Sequence, residues 1–230
     1  MAQPPDPASS RIFDGLTEGE RRAWLDAGAT RQLKRGQTLA RQGDRADCMY
    51  LVETGALKLV QVTADGHELI VRFVGPAEPF AGIVAREDAS YPVTALAADP
   101  TNVRVWPRET LMRLLPSFPQ VRLNIMREMT SHMTDALTRV REMATERVSQ
   151  RLAHALLRLM RQGGRPVPGG VLIERTLTRQ EFAELTGTTL YTVSRILSKW
   201  QADGILAASG RRLVVCSRAR LEELSQHGED

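Results

Sequence analysis

Cysteine is scarce in this chain of 230 residues: Cys48 and Cys216 are the only two, far apart and in no CxxC pattern. That excludes a disulfide framework, a four-cysteine zinc site and a four-thiolate iron–sulfur cluster, and suits reduced thiols in a cytoplasmic protein. No run of about 18 apolar residues occurs, so a membrane partner is not expected. The opening MAQPPDPASSRIF is polar and proline-rich and lacks the apolar stretch of a secretion signal. Catalytic signatures are missing too. There is no HExxH, no nucleophile elbow, no phosphate-cradling GxxxxGK[ST] and no paired-carboxylate motif, and no enzymatic activity is expected.

What is present is uneven in charge. The formal net charge is +4, yet residues 147–230 carry thirteen Lys/Arg against eight Asp/Glu. The basic excess lies in the last third and favours a polyanionic partner. Texture divides the rest. Residues 1–11 read as a disordered tail, followed by a helix that opens at Thr17 with a capping box to Glu20. From Thr30 to Trp106 short apolar runs alternate with turns at Gly36, Gly43, Gly55, Asp65-Gly66 and Gly75, the pattern of an antiparallel sandwich or barrel. From Val121 to about Arg147 the chain reads as one long helix. Leu123, Met126, Thr130, Met133, Leu137, Val140 and Ala144 recur in steps of three and four. This 3.5-residue seam predicts a dimerisation helix. A second helix, Val148 to Arg161, leads into RQGGRPVPGG, a loop by composition.

The sharpest signal is LTRQEFAELTGTTLYTVSRILSKWQADGIL, residues 177–206. Ala183 stands four residues before Gly187, and Val193 and Ile196 follow where a second helix must press on the first. A small residue permits a close crossing and a glycine supplies a left-handed turn, which is how a helix-turn-helix is built. On the second helix Val193, Ile196, Leu197 and Trp200 share one face, and Tyr191, Ser194, Arg195 and Ser198 the opposite one. The second face is short, polar and basic, as suits a helix laid in a DNA major groove. The ASGRRLVVC segment then adds a wing.

Barrel, long helix and winged helix-turn-helix in this order resemble the CRP/FNR superfamily of bacterial transcription regulators, over residues 12–217. LTRQEFAELTG with TVSRIL and the DGIL turn is the most specific part; Gly36, Gly43, Gly55 and Gly66 match barrel turns. The resemblance implies an α+β chain. A cyclic-nucleotide-binding-like jelly-roll barrel (12–118) would be followed by a dimerisation helix (119–146) and a winged helix-turn-helix (147–230). It also implies a homodimer on a near-palindromic site in double-stranded DNA, with RNA polymerase as a further partner. Arg195 matches the family's reading arginine, whose fork can bond guanine O6 and N7. Ser194 matches a second reading position, and Tyr191 departs from the glutamate many members carry. Thr178, Arg179, Gln180, Thr189 and Thr192 match positions at phosphates. Ser198, Lys199 and the wing's Arg211 complete the expected DNA surface. A signal is expected to work a hinge near Ala144 to Val148.

Cyclic-nucleotide members carry F-x-G-E followed by R-S/T-A. With Phe80 and Gly82 set on that motif, Ile83 falls at the glutamate, Val93 at the arginine and Thr94 just after it. A buried phosphate beside Val93 would lack its counter-ion, so cyclic AMP and cyclic GMP are disfavoured. Phe80, Gly82, Ile83, Val93 and Thr94, with Met133 and Leu137 from the long helix, are the expected effector pocket. The effector itself is unknown. The apolar cassette is similar to that of nitric-oxide-responsive branches of the family, which leaves haem open, with His67, His132, Cys48 or a methionine as axial ligand.

Overall fold

The computed structural model describes residues 5–63, 66, 68–86 and 88–228, and only the backbone of Ile83 and Ala85. Contacts divide the chain into two compact units, Met1–Ala136 and Leu137–Asp230.

The first unit is a β-structure flanked by helices. Helix α1 (Glu18–Asp26) starts as expected: Thr17 and Glu20 close a capping box. Eight strands follow: β1 (Ala29–Leu33), β2 (Thr38–Ala40), β3 (Cys48–Thr54), β4 (Leu57–Val62), β5 (Glu68–Val74), β6 (Pro79–Phe80), β7 (Thr94–Ala97) and β8 (Thr101–Pro107). They form two four-stranded antiparallel sheets, β1-β8-β3-β6 and β2-β7-β4-β5. Asp65 of the expected Asp65-Gly66 turn lies outside the described residues. The strands on either side pair from Leu57↔Val74 to Val62↔Glu68, with a register shift between Leu59 and Val60.

Two cores share the strands because successive side chains of a strand point to opposite faces. In β3, Tyr50 and Val52 face the barrel interior with Leu57, Val74, Phe80, Tyr91, Val93 and Val103. Met49 and Leu51 face outward onto Ile12, Phe13, Trp24, Val84, Trp106, Val121 and Ile125. The outer core is covered by α1, α2 (Arg108–Leu114) and the start of α3 (Pro119–Thr145). The Trp106 indole N–H donates to the Trp24 carbonyl at 2.9 Å, which satisfies a polar group that is otherwise sealed in. The expected tail over 1–11 is corrected for residues 7–11, and residues 1–4 lie outside the described residues. Pro7–Ser9 form a 3-10 turn capped by Asp6, Ser10 is buried, and a second 3-10 turn spans Arg11–Phe13. Asn124 on α3 holds this segment, donating to the carbonyls of Ile12 (3.1 Å) and Asp14 (2.8 Å).

The second unit comprises the end of α3, α4 (Val148–Gly163), a four-stranded sheet, and helices α5 (Arg179–Thr186), α6 (Leu190–Ala202) and α7 (Arg218–His227). The sheet runs β11 (Leu206–Ser209), β12 (Arg212–Val215), β10 (Gly170–Ile173), β9 (Gly164–Val167). The expected loop RQGGRPVPGG is therefore corrected: most of it is the β9–β10 hairpin. Its strand character comes from pairing, since β10 also bonds β12 and so joins the wing. Local composition cannot show that. Helix α7 was not foreseen either, although Ser217 caps it and its Leu221 and Leu224 are buried.

Gly55 illustrates how tightly the barrel closes. Its φ is +77° and a Cβ there would stand 2.3 Å from the Pro100 carbonyl oxygen, whereas Gly36 (φ +80°) has open space. Gly36→Ala should cost about 1–2 kcal/mol, the left-handed penalty alone. Gly55→Ala should cost at least about 3 kcal/mol, because the backbone itself must move. Urea midpoints of the two variants check this; equal midpoints would show that the close approach at Gly55 is immaterial.

Candidate nucleic-acid interface

The helix-turn-helix is fixed by its caps and corner. At the start of α5, Thr178 Oγ1 accepts from the Glu181 N–H (3.1 Å), while the Glu181 carboxylate accepts from the Thr178 N–H (2.8 Å). The helix ends on Gly187 in the left-handed conformation (φ 61°, ψ 49°), whose N–H returns to the Ala183 carbonyl. Thr189 then caps α6, accepting from the Thr192 N–H at 3.2 Å. Val193, Ile196, Leu197 and Trp200 are buried, as is Ala183 on α5. With one face of α6 committed to the core, the other must face solvent.

That outer face holds the expected readers. Tyr191, Arg195, Ser198 and Lys199 are exposed and Ser194 is half-buried. The side chains of Tyr191, Arg195 and Ser198 have no hydrogen-bond or ion-pair partner among the described residues. The side chains expected at phosphates make bonds within the chain. The hydroxyls of Thr178, Thr189 and Thr192 are engaged in capping, Thr189 and Thr192 lying 2.9 Å apart. Arg179 donates to the Ser194 carbonyl at 3.3 Å, bracing α5 against α6, and Gln180 donates to Glu184 at 3.1 Å. Leu190, about half exposed beside Tyr191, was missed; its only signal in the sequence is an apolar residue off the buried face.

In the wing, β11 and β12 turn at Gly210 (φ 60°) and Arg211. Arg211 is exposed and has no side-chain partner among the described residues, whereas Arg212 is bound to Glu174 at 3.0 Å. Glu174 also accepts from Arg165 at 2.6 Å, and that bond is the first cause holding its carboxyl below the usual range.

On α3 all seven expected seam residues, Leu123, Met126, Thr130, Met133, Leu137, Val140 and Ala144, are exposed. Met129 and Met143 widen the stripe. The expected hinge near Ala144 to Val148 coincides with the break between α3, which ends at Thr145, and α4, which starts at Val148. Glu142 is buried, and Arg158 Nη1 reaches both its oxygens at 2.7 and 2.9 Å. Arg151 donates to the Glu146 carbonyl (2.8 Å) and the Thr186 carbonyl (2.9 Å). Met143 lies against the Gly187 turn, 3.4 Å from where a Cβ would stand. The last turns of α3 are thus braced to α4 and to the helix-turn-helix corner. A loose joint would need those contacts broken.

Of the expected effector pocket, the structure brings together Phe80 and Val93 in the barrel core. Phe80 stacks on Tyr50 (5.8 Å, 17°) and on Tyr91 (6.1 Å, 21°). The Tyr91 hydroxyl accepts from the Cys48 N–H and donates to the Cys48 carbonyl, both at 3.1 Å, and the Tyr50 hydroxyl lies 3.3 Å away. Burial pushes both phenols and the Cys48 thiol up, so all three stay neutral near pH 7. Gly82 packs on α3, where a Cβ would meet Ile125 at 3.0 Å, and Thr94 accepts from the Gln42 N–H. Met133 and Leu137 stand on the exposed α3 stripe, and the Ile83 side chain lies outside what is described. Among the haem-ligand candidates, His67 also lies outside the described residues. His132 lies 3.7 Å from Glu128.

An exposed, basic recognition helix on a winged helix-turn-helix, in one chain with an antiparallel barrel, defines a DNA-binding regulator with a sensory-type domain. Family comparison agrees: residues 30–117 match the cyclic nucleotide-binding domain and residues 150–224 the Crp-like helix-turn-helix domain. The chain is 32% identical over 183 residues to the transcriptional activator protein FnrA of Stutzerimonas stutzeri, covering 80% of this chain and 75% of that one. It is 27% identical over 216 residues to the cyclic AMP receptor protein of Thermus thermophilus, covering 94% and 97%. The structure of FixK2 from Bradyrhizobium japonicum superposes with a TM-score of 0.77 at 26% identity, covering 86% of this chain and 96% of that one. The protein belongs to the CRP/FNR superfamily and is a sequence-specific DNA-binding transcription regulator.

His132 gives the first unit a pH dependence. Burial, then the Arg72 cation, lower its pKa from 6.5 to about 4, with Asp135 opposing. Between those values the unfolded chain binds a proton that the folded one refuses. Stability should therefore fall as pH drops from about 6.5 towards 4 and be unaffected by this group above that window. His132→Gln should flatten that part of the profile. Urea midpoints at about pH 7 and about pH 5 measure it, and an unchanged slope would rule His132 out as its source.

Proposed function

We propose that this regulator acts as a homodimer joined along the α3 stripe. Its two α6 helices read a near-palindromic operator, Arg195 bonding a guanine in each half-site. The observation that carries this reading is the state of Arg195. It is an exposed guanidinium without a side-chain partner among the described residues, one turn beyond Tyr191, on a helix whose other face is wholly buried. Arg151, Arg158 and Arg212, which brace the same unit, are by contrast tied to partners.

The stripe supports the dimer. Leu137 and Val140 are 63% and 65% exposed on one helix face, and burying such side chains is worth about 1.5–3 kcal/mol each. The controlling signal is one other than a cyclic nucleotide, acting where the barrel meets α3. Val93 supplies no counter-ion, and the aromatic trio fills the barrel core beside it. The activator name of FnrA supports RNA polymerase as a further partner.

Arg195→Ala should lose about 10- to 100-fold in affinity for a selected operator while binding to random DNA barely changes. Fluorescence anisotropy at fixed salt measures both; undiminished operator affinity would remove Arg195 from base reading. Leu137→Glu should turn the dimer into a folded monomer in sedimentation velocity, because two carboxylates would face each other across the seam. A Leu137→Glu protein that stays dimeric would place the interface elsewhere.

A further inference from the structure

Three of the chain's eight methionines fall within residues 126–133, in the run MREMTSHM. Met126, Met129 and Met133 are 58%, 44% and 61% exposed in the middle of α3, and none of them belongs to either core of the first unit. Elsewhere the same stripe is built of Leu123, Leu137 and Val140, so pairing two helices along it calls for no sulfur. Met129 also stands off the 3.5-residue seam. Its Sδ rests by Gly82, 3.7 Å from where a Cβ would stand there, on the barrel side of the stripe.

Helix geometry gathers these side chains with His132. Met129, His132 and Met133 are spaced i, i+3 and i+4, and Met126 comes three residues before Met129. Neighbours at such spacings have Cβ atoms about 5–6 Å apart, a gap that flexible, unbranched thioethers can close. His132 presents Nε2 to the Glu128 carboxylate at 3.7 Å, and its Nδ1 has no partner among the described residues. A carboxylate beside one ring nitrogen fixes the tautomer that leaves the other free to ligate.

The donor set is narrow in its chemistry. Among the described residues no three His, Cys, Asp or Glu side chains gather to hold a metal, so carboxylate and thiolate sites are not what α3 offers. It offers uncharged thioethers and an imidazole. Thioether sulfur is soft and selects copper(I) over magnesium, calcium or manganese, which take oxygen. We propose that Met129, His132 and Met133, with Met126 as a fourth donor, bind one copper(I) ion per chain, where the β-structure meets α3.

The test uses the full-length protein with Cys48→Ala and Cys216→Ala, which removes the competing thiols. Silver(I) nitrate in chloride-free buffer serves as the redox-stable probe, followed through the methionine ε-methyl signals in NMR. One equivalent should move the signals of Met126, Met129 and Met133 and leave Met143 unmoved. Met143 is exposed on the same helix but has no methionine or histidine three or four residues away. Met129→Leu and His132→Gln should each weaken silver binding by at least about tenfold. Leucine keeps the volume of methionine, so circular dichroism and sedimentation velocity of Met129→Leu should be unchanged. Copper(I), added without oxygen, should displace the silver. Three outcomes each overturn the inference: Met143 shifting along with the others, undiminished affinity in Met129→Leu, or silver that copper(I) does not displace.

Discussion

The crossing of α5 and α6 at Ala183 is the contact on which the functional surface depends. A residue larger than alanine there, or a corner without the left-handed turn of Gly187, would lift the two helices apart. Because Val193, Ile196, Leu197 and Trp200 must be buried against α5, the opposite face of α6 has no choice but solvent. Burial on one side creates the reader on the other. Stability and recognition are two results of the same packing.

Arginine plays two separate parts in the second unit. Arg151, Arg158, Arg179 and Arg212 spend their donors on Thr186, Glu142, Ser194 and Glu174, and hold helices and wing in place. Arg195 and Arg211 spend theirs on nothing within the described residues and face outward. Net charge counts all six alike. Their geometry separates those that build the site from those able to meet a phosphate or a base. The brace around Glu142 and Glu146 also has a mechanical meaning. Through it the last turns of α3 are tied to the helix-turn-helix corner.

The barrel matches the cyclic nucleotide-binding domain, and its core is lined by apolar and aromatic side chains, Val93 among them. Tyr50, Phe80 and Tyr91 stack inside it, and the tyrosine hydroxyls are satisfied by each other and by the Cys48 backbone. A closed hydrogen-bond set of this kind stabilises the barrel core.

The sequence by itself determined the class of each half. Alternating strands with glycine turns, a 3.5-residue stripe and the Ala183–Gly187 spacing are local patterns, and each of them formed because period and turn chemistry act over a few residues. So was the reading face, since helical geometry alone sets Tyr191 and Arg195 opposite Val193 and Trp200. Tertiary structure decided what depends on partners distant in the chain. The RQGGRPVPGG segment became a hairpin because β12, some forty residues on, completes its sheet. The Ile12–Asp14 stretch is pinned because Asn124 bonds its carbonyls. Arg179 became a brace because the carbonyl of Ser194 lies within its reach. A residue's type states what it can bond, and only the folded chain brings the partner that decides which bond it makes.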